Sequence, residues 1–219
     1  GNTRIVSPDS VSVEIVNGRK IKPTKEPNSP NPSKDKNDLT DPDGVVDGSS
    51  QGRRGDCYLL AEINAIRNTK GGQDALSKNF KWHDDNSVTV TLPGAVKIRK
   101  EYEQQGLKCE VTGTYYITAD ALKKAGAYAG ESYSKSDIEV IVLEVAMENF
   151  RAEMVATKEL NKGVKYKPGT AEEAISNDKG KGDNDFLSGG RSYDAGFILT
   201  GEKSEVYIAK KSKFKKAQP

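Results

Sequence analysis

Histidine and cysteine are scarce in this sequence, which has one histidine and two cysteines among 219 residues. The two cysteines, Cys57 and Cys109, are too few for a disulfide scaffold, and we interpret both as thiols. There is no cluster of His and Cys with the spacing of a zinc site. Long apolar runs are also absent, since no stretch approaches the roughly 18 residues that a membrane-spanning helix needs.

The sequence has no large excess of charge of either sign. Its 34 basic and 32 acidic residues leave a formal net charge of +2, so the chain as a whole indicates neither a nucleic-acid nor a membrane partner. Residues 210–216 are locally basic, and we interpret them as a solvated terminus. With 34% hydrophobic and 30% charged residues, the composition is typical of a soluble protein with a buried core, either cytoplasmic or secreted.

The pattern along the chain predicts three regions. Residues 1–42 contain an alternating apolar stretch over 11–15, predicted as a strand that ends at a turn, and then a proline-rich strap or leader. Residues 43–190 carry the periodic patterns of a folded lobe. Residues 191–219 predict a short helix over 192–199, a strand over 205–209 and the basic tail.

Within the lobe, the patterns favour an α+β domain over a doubly wound parallel sheet. A helix is predicted from Asp56, because Leu59, Ile63 and Ile66 recur on one helical face, and Gly71 and Gly72 are expected to end it. The longest helix is predicted over 137–156, with Asp137 as its cap. Further predictions are extended segments over 88–92, 96–98 and 111–117, a short helix over 121–125 capped at 118–120, and a capping box at 170–173.

Cys57 lies at the first turn of the first predicted helix, with Asp56 as the N-cap. The unpaired N–H groups at a helix N-terminus stabilise negative charge, and the thiolate is the nucleophilic form of cysteine. Gly52 and Gly55 allow the preceding loop to fold tightly. The Gln51 side chain can direct an amide N–H to the same point, where a tetrahedral oxyanion needs donors. The pattern therefore predicts a cysteine nucleophile beside an oxyanion site.

The segment from Gln51 to Ala61, QGRRGDCYLLA, resembles the calpain signature Gln-Gly-x-x-Gly-Asp-Cys-aromatic-Leu-Leu, with Tyr58 at the position where tryptophan is more common. Residues 143–147, LEVAM, are similar to the Leu-Glu-Lys-Ala-Tyr helix of calpain protease cores. Residues 187–190, LSGG, resemble the Ser-Gly-Gly that follows that helix. Residues 195–201 look like the opening helix of the second catalytic lobe, which often ends in Leu-Thr-Gly in bacterial members.

This resemblance implies an α+β, papain-like N-terminal lobe over residues 43–190, with a nucleophile helix, a long helix and small antiparallel β segments. Residues 191–219 would then begin a truncated second lobe. The implied activity is that of a cysteine endopeptidase, a hydrolase that cleaves a protein or peptide substrate through an acyl-enzyme at Cys57. Gln51 would contribute to the oxyanion hole, and no cofactor would be required. Residues 1–42 would be a propeptide in the cleft or a simple leader.

The general base of such an enzyme is missing from the pattern. The family places a His and an Asn in the second lobe, whereas the one histidine here, His83, lies in a predicted surface turn. We expect the base to lie C-terminal to this chain, either in cis or on a separate second-lobe chain after self-cleavage. The alternative is a non-catalytic pseudoenzyme that binds a partner protein. Papain-like lobes also transfer acyl groups to acceptors other than water, and the sequence does not distinguish transfer from hydrolysis.

Calcium is a candidate ligand by the same resemblance. Calpain cores bind Ca²⁺ through loop oxygens before the cysteine and through the Glu of the Leu-Glu-x-Ala helix, which is Glu144 here. Asp43 and Asp47 could supply the hard oxygen ligands that Ca²⁺ prefers, although their spacing departs from the family pattern. In the alternative interpretation, the aspartates cap turns and Glu144 lies on a solvated helix face.

Overall fold

The computed structural model describes residues 2–13, 15–16, 19–20, 23, 46, 51–135, 137–166, 186–190 and 192–203. This part of the chain has an α+β fold, as the sequence predicted, with six α-helices and a four-stranded sheet. The strands are β1 (Thr3–Val6), β2 (Ile15–Val16), β3 (Arg19–Lys20), β4 (Phe80–Trp82), β5 (Val88–Thr91) and β6 (Thr114–Ile117). The helices are α1 (Cys57–Arg67), α2 (Gly72–Ser77), α3 (Pro93–Gln104), α4 (Ala119–Ala127), α5 (Ile138–Leu160) and α6 (Ser192–Thr200), and Pro8–Ser10 form a 3-10 turn.

The main sheet has the strand order β1-β6-β5-β4. β5 is antiparallel to both of its neighbours, whereas β1 is parallel to β6, with Thr3 opposite Thr114. The N-terminal strand therefore completes a sheet whose other strands come from far along the chain. Of the strand predicted over 11–15 and ending at residues 17–18, only the last part forms: the segment after the 3-10 turn is irregular to residue 13, and β2 covers Ile15–Val16.

The two helices most important for the site begin where the sequence predicted. α1 begins at Cys57, with Asp56 at its N-cap position. α5 begins at Ile138, and the Asp137 side chain accepts the capping bond from the Glu139 N–H. The predicted cap of α4 is also confirmed, since Thr118 accepts from the Ala121 N–H.

Two local predictions are wrong. Residues 96–98 were expected to be extended but lie in α3, where Pro93 occupies the first turn and Ala95, Ile98 and Tyr102 form the buried face. Proline favours that position because its fixed φ suits a helix start and the missing N–H costs nothing there. Gly71 and Gly72 do not end α1, which stops at Arg67; they begin α2 instead. The predictions for 170–173 and 205–209 lie outside the described residues.

The long helix α5 lies in the interior and packs against α4 and β5, while α6 packs against α1 and α3. Nearly all of α5 from residue 139 to 154 is buried, including Glu144, Glu148, Arg151 and Glu153. Buried charges need partners, and the partners of three of them organise the candidate site. None of the helices in the described residues is long and apolar enough to cross a membrane.

Candidate active site

The loop before α1 alternates between buried and exposed residues. Arg54, Asp56 and Tyr58 are 5%, 1% and 5% exposed, whereas the residues between them, including Cys57, are exposed. Cys57 is therefore exposed between two side chains that are buried. Cys57 and Cys109 are both free thiols, as predicted.

Tyr58, the residue after Cys57, is held by Arg151 of α5. One guanidinium nitrogen of Arg151 donates to the Tyr58 hydroxyl and to the Leu187 carbonyl, both at 2.9 Å. The guanidinium carbon lies 5.3 Å from the centre of the Tyr58 ring. The other terminal nitrogen donates to the Gly189 carbonyl at 2.5 Å. A Cβ atom on Gly190 would lie 2.8 Å from three atoms of the Tyr58 ring, so this close packing requires glycine.

The segment 187–190 also contacts the loop backbone directly. The Gly55 N–H donates to the Ser188 hydroxyl at 3.1 Å, and the Gly189 N–H donates to the Gly55 carbonyl at 2.8 Å. Three sequence features that were identified separately, namely the cysteine loop, the long helix and the Ser-Gly-Gly segment, therefore meet at one place.

Arg54 forms a buried ion pair with Glu148 of α5, at 2.8 Å. Tyr133 completes this cluster: its hydroxyl donates to the other Glu148 oxygen at 2.8 Å, and the Arg54 guanidinium lies 5.6 Å from the centre of its ring. Burial raises the pKa of Tyr133 well above its usual value, and the negative charge of Glu148 raises it further. The phenol therefore remains a hydrogen-bond donor. Such a pair is tolerated in the interior because further hydrogen bonds satisfy both charged groups.

Asp56 is paired with Glu144, a fully buried residue of α5. Both Glu144 oxygens accept from the Ser134 N–H, at 3.0 and 3.1 Å. Burial and the hydrogen-bonded Asp56 carboxyl raise the pKa of Glu144 well above its usual value. Two adjacent buried carboxyl groups cannot both ionise at low cost, so the pairing with Asp56 favours the protonated form of Glu144.

This pairing changes the predicted role of the Asp56 side chain. The Asp56 carbonyl accepts the first helical bonds, from the Leu59 and Leu60 N–H groups at 2.9 and 3.2 Å. Its carboxyl, however, makes no capping bond to the helix. The Asp56 side chain therefore does not satisfy the first-turn N–H groups of α1.

The three α5 residues that hold the loop, Glu144, Glu148 and Arg151, lie on one face of the helix because they are four and three residues apart. From the sequence pattern, only Glu144 was predicted to have a role, as a metal ligand, and Glu148, Arg151 and Arg54 were not singled out. A signal was present, since charges at helical spacing inside an otherwise apolar helix indicate buried polar contacts.

Gln51 is exposed, and its side-chain nitrogen donates to the Arg54 carbonyl at 2.7 Å. An amide NH₂ group carries two hydrogens, so this bond orients the group and leaves a second N–H for another acceptor. The neighbouring Gly52 is tightly enclosed, because a Cβ atom there would lie 2.5 Å from the carbonyl oxygens of Glu131 and Tyr133. The loop is thus pressed against the turn that carries Tyr133.

His83 lies in the hairpin between β4 and β5, as its predicted turn position suggested. Its ring nitrogen Nε2 is 2.8 Å from the Thr89 hydroxyl oxygen, and its ring centre is 5.5 Å from that of Tyr116. These contacts are within the sheet and do not involve α1 or its loop. The observed geometry therefore gives His83 a structural role in the hairpin.

Of the three predicted calcium ligands, only Glu144 lies within the described residues. Glu144 is fully buried and bonded to Ser134 and Asp56, so the alternative of a solvated helix face is wrong. Asp43 and Asp47 lie outside the described residues. Within the described part of the chain, no group of three or more His, Cys, Asp or Glu side chains is arranged to hold a metal ion. Calcium binding stays a prediction that depends on the two aspartates.

No family model, curated protein or solved structure matches this chain.

Proposed function

We propose that this chain is the nucleophile-bearing lobe of a papain-like cysteine endopeptidase of the calpain type. The observation that carries the proposal is the outward exposure of Cys57 at the N-terminus of α1, between residues that are buried and bonded to α5. A loop whose flanking side chains are all anchored can hold one thiol in a fixed position, as a nucleophile requires.

In the proposed reaction, the Cys57 thiolate attacks the carbonyl carbon of a peptide bond. The carbon–nitrogen bond then breaks, and the amine leaves with a proton from a second-lobe histidine. Water hydrolyses the acyl-enzyme, returns a proton to that histidine and releases the carboxylic acid. The histidine and the asparagine that orients it belong to a second lobe, supplied in cis or in trans.

The oxyanion of the tetrahedral intermediate would be stabilised by the Cys57 backbone N–H and the Gln51 amide. Two features support this assignment. The Asp56 carboxyl bonds to Glu144 rather than capping the helix, so it does not compete with an oxyanion for the first-turn N–H groups. The Gln51 amide is oriented by its bond to the Arg54 carbonyl, close in sequence to the nucleophile. Removal of one such donor costs about 10²–10³ in rate.

The direct test is competitive alkylation of the two thiols with iodoacetamide at pH 6, followed by peptide mass spectrometry. We expect Cys57 to react first, because it is exposed, whereas Cys109 is half-buried and burial raises the pKa of its thiol. In the protein that carries both lobes, Cys57→Ala should abolish cleavage of a casein substrate. Cys109→Ala is the matched control and should retain activity. Equal and slow alkylation of both thiols would contradict a nucleophilic Cys57.

The alternative function is a non-catalytic module that binds a partner protein through the same face. One observation favours it: the single histidine of the sequence is engaged by Thr89 in its own hairpin, so this chain supplies no histidine base at the loop. An inactive two-lobe wild type would favour this alternative, whereas retained peptidase activity in Cys57→Ala would show that another residue is the nucleophile. A product bearing an added amine would instead indicate acyl transfer.

A further inference from the structure

We propose that residues 2–13, the N-terminal segment, hold the nucleophile loop in place, and that Arg54 is the positioning residue through which they act. This inference rests on the proposed function, because it concerns the reactivity of Cys57. It assigns the segment a role opposite to that of an inhibitory propeptide, since its contact with the loop would support the nucleophile rather than block it.

The segment is anchored to the lobe independently of the loop. β1 pairs with β6 along its whole length. The Arg4 side chain donates to Glu153, a buried carboxylate of α5, at 3.0 Å. Lys124 of α4 donates to the Pro8 carbonyl at 2.9 Å. These contacts fix the segment on the sheet and on two helices before it reaches the loop.

The end of the N-terminal segment contacts the buried Arg54 side chain of the loop. Val11 and Val13 are 2% and 5% exposed, so this part of the chain belongs to the core. Between them, the Ser12 carbonyl accepts from the Arg54 guanidinium at 3.3 Å, and at 3.1 Å it shares the single Tyr133 hydroxyl proton with the nearer Glu148 oxygen. The residues that bind Ser12 are therefore the same two that bind Glu148.

Arg54 thus connects helix α5 with the N-terminal segment. One of its terminal nitrogens binds Glu148 and the other binds Ser12. The guanidinium is planar, with its donors in a rigid fork, so two such acceptors determine where the side chain lies and hence where its backbone lies. The Arg54 carbonyl in turn orients the Gln51 amide. A displacement of Arg54 therefore moves the Cys57 loop and the proposed oxyanion donor together.

The test compares Arg54→Met with Lys124→Met by the alkylation rates of Cys57 and Cys109 in the same sample. The second variant removes an anchor of the N-terminal segment that does not touch the loop. We expect Arg54→Met to slow Cys57 alkylation about tenfold, since small misplacements of a positioned group have large effects on rate. Cys57 should keep its rate in Lys124→Met, because the β1–β6 pairing and the Arg4–Glu153 bond still hold the segment, and the rate of Cys109 should be unchanged in both variants.

The ratio of the two rates separates positioning from stability. A loss of global stability would expose the half-buried Cys109 and speed its alkylation, whereas lost positioning slows Cys57 alone. If Arg54→Met does not fold, the Tyr133→Phe variant tests the positioning role instead, because it removes only the hydroxyl that lies within hydrogen-bond distance of Ser12 and Glu148. It should also slow Cys57, by a smaller factor.

The outcomes distinguish the two proposals. A wild type in which Cys57 reacts no faster than Cys109 would contradict the proposed function itself. A reactive wild type whose Cys57 rate is unchanged in the Arg54 and Tyr133 variants would overturn the positioning role alone. Faster Cys57 alkylation in those variants would also overturn it, because it would mean that the segment restrains the nucleophile.

Discussion

The buried carboxyl groups of Asp56 and Glu144 lead to a prediction about stability that does not depend on any catalytic role of Cys57. Glu144 is fully buried, bonded to the Ser134 N–H and to the Asp56 carboxyl. In Glu144→Gln, the amide oxygen can still accept from Ser134, and the amide nitrogen can donate to Asp56 without any proton being held. The substitution therefore keeps the shape of the side chain and one acceptor for the Ser134 N–H, and it removes the titration of Glu144.

The sign and size of the effect follow from linkage. The pKa of Glu144 in the folded state is raised well above 4.5, its usual value, so above that pH the unfolded chain releases a proton that the folded protein keeps. The stability that the wild type gains from this proton is complete below about pH 4.5 and is lost as the pH rises through the folded pKa, at up to about 1.4 kcal/mol per pH unit. Glu144→Gln lacks this loss, so its stability relative to wild type should rise with pH.

Thermal and urea unfolding between pH 5 and 8 measure this difference. Each kcal/mol corresponds to about 2–4 °C in Tm for a domain of this size, so the two Tm curves should diverge by a few degrees. Glu159→Gln, on the exposed end of the same helix, is the control, because its carboxylate is 74% exposed and pairs only at 3.5 Å with Lys162. Parallel wild-type and Glu144→Gln curves over the whole range would refute the shared proton.

Four further substitutions test the packing of the loop and of one helix cap. Gly52→Ala should cost about 1–3 kcal/mol in urea unfolding, because its Cβ would meet two carbonyl oxygens at 2.5 Å; Gly55→Ala, whose nearest contact would be 3.8 Å, should cost much less, and equal costs would contradict the steric argument. Tyr58→Phe should cost about 1 kcal/mol by removing the hydroxyl that Arg151 binds, and an unchanged free energy of unfolding would contradict that bond's importance. Thr118→Ala should cost about 1 kcal/mol by removing the α4 cap, and no change in the urea midpoint would show that the cap is dispensable.

The position of Cys57 at the start of a helix was predictable from local sequence because helix starts are local. The apolar spacing from Leu59 onward and the polar residue at 56 were enough to place Cys57 at the first turn of α1. The caps at Thr118 and Asp137 were predictable for the same reason, since each side chain bonds within a few residues of itself.

Short apolar segments were less predictable. Residues 96–98 alternate like a strand, and only the wider spacing of Ala95, Ile98 and Tyr102 reveals the helix that buries them. The strand β1 depends on a parallel pairing of Thr3 with Thr114, and no local pattern indicates which distant segment a strand will join.

By itself, the sequence determined the residue types of the candidate site, the helix that begins at Cys57 and the α+β class. The tertiary structure alone decided which partners hold that residue in place. Whether Asp56 caps its helix or pairs with Glu144, and whether Arg54 meets solvent or Glu148 and Ser12, depends on how the loop, α5 and the N-terminal segment pack together. A buried charge is tolerated only where residues from distant parts of the chain supply its partners. The spacing of residues along the sequence does not indicate which distant residues come into contact.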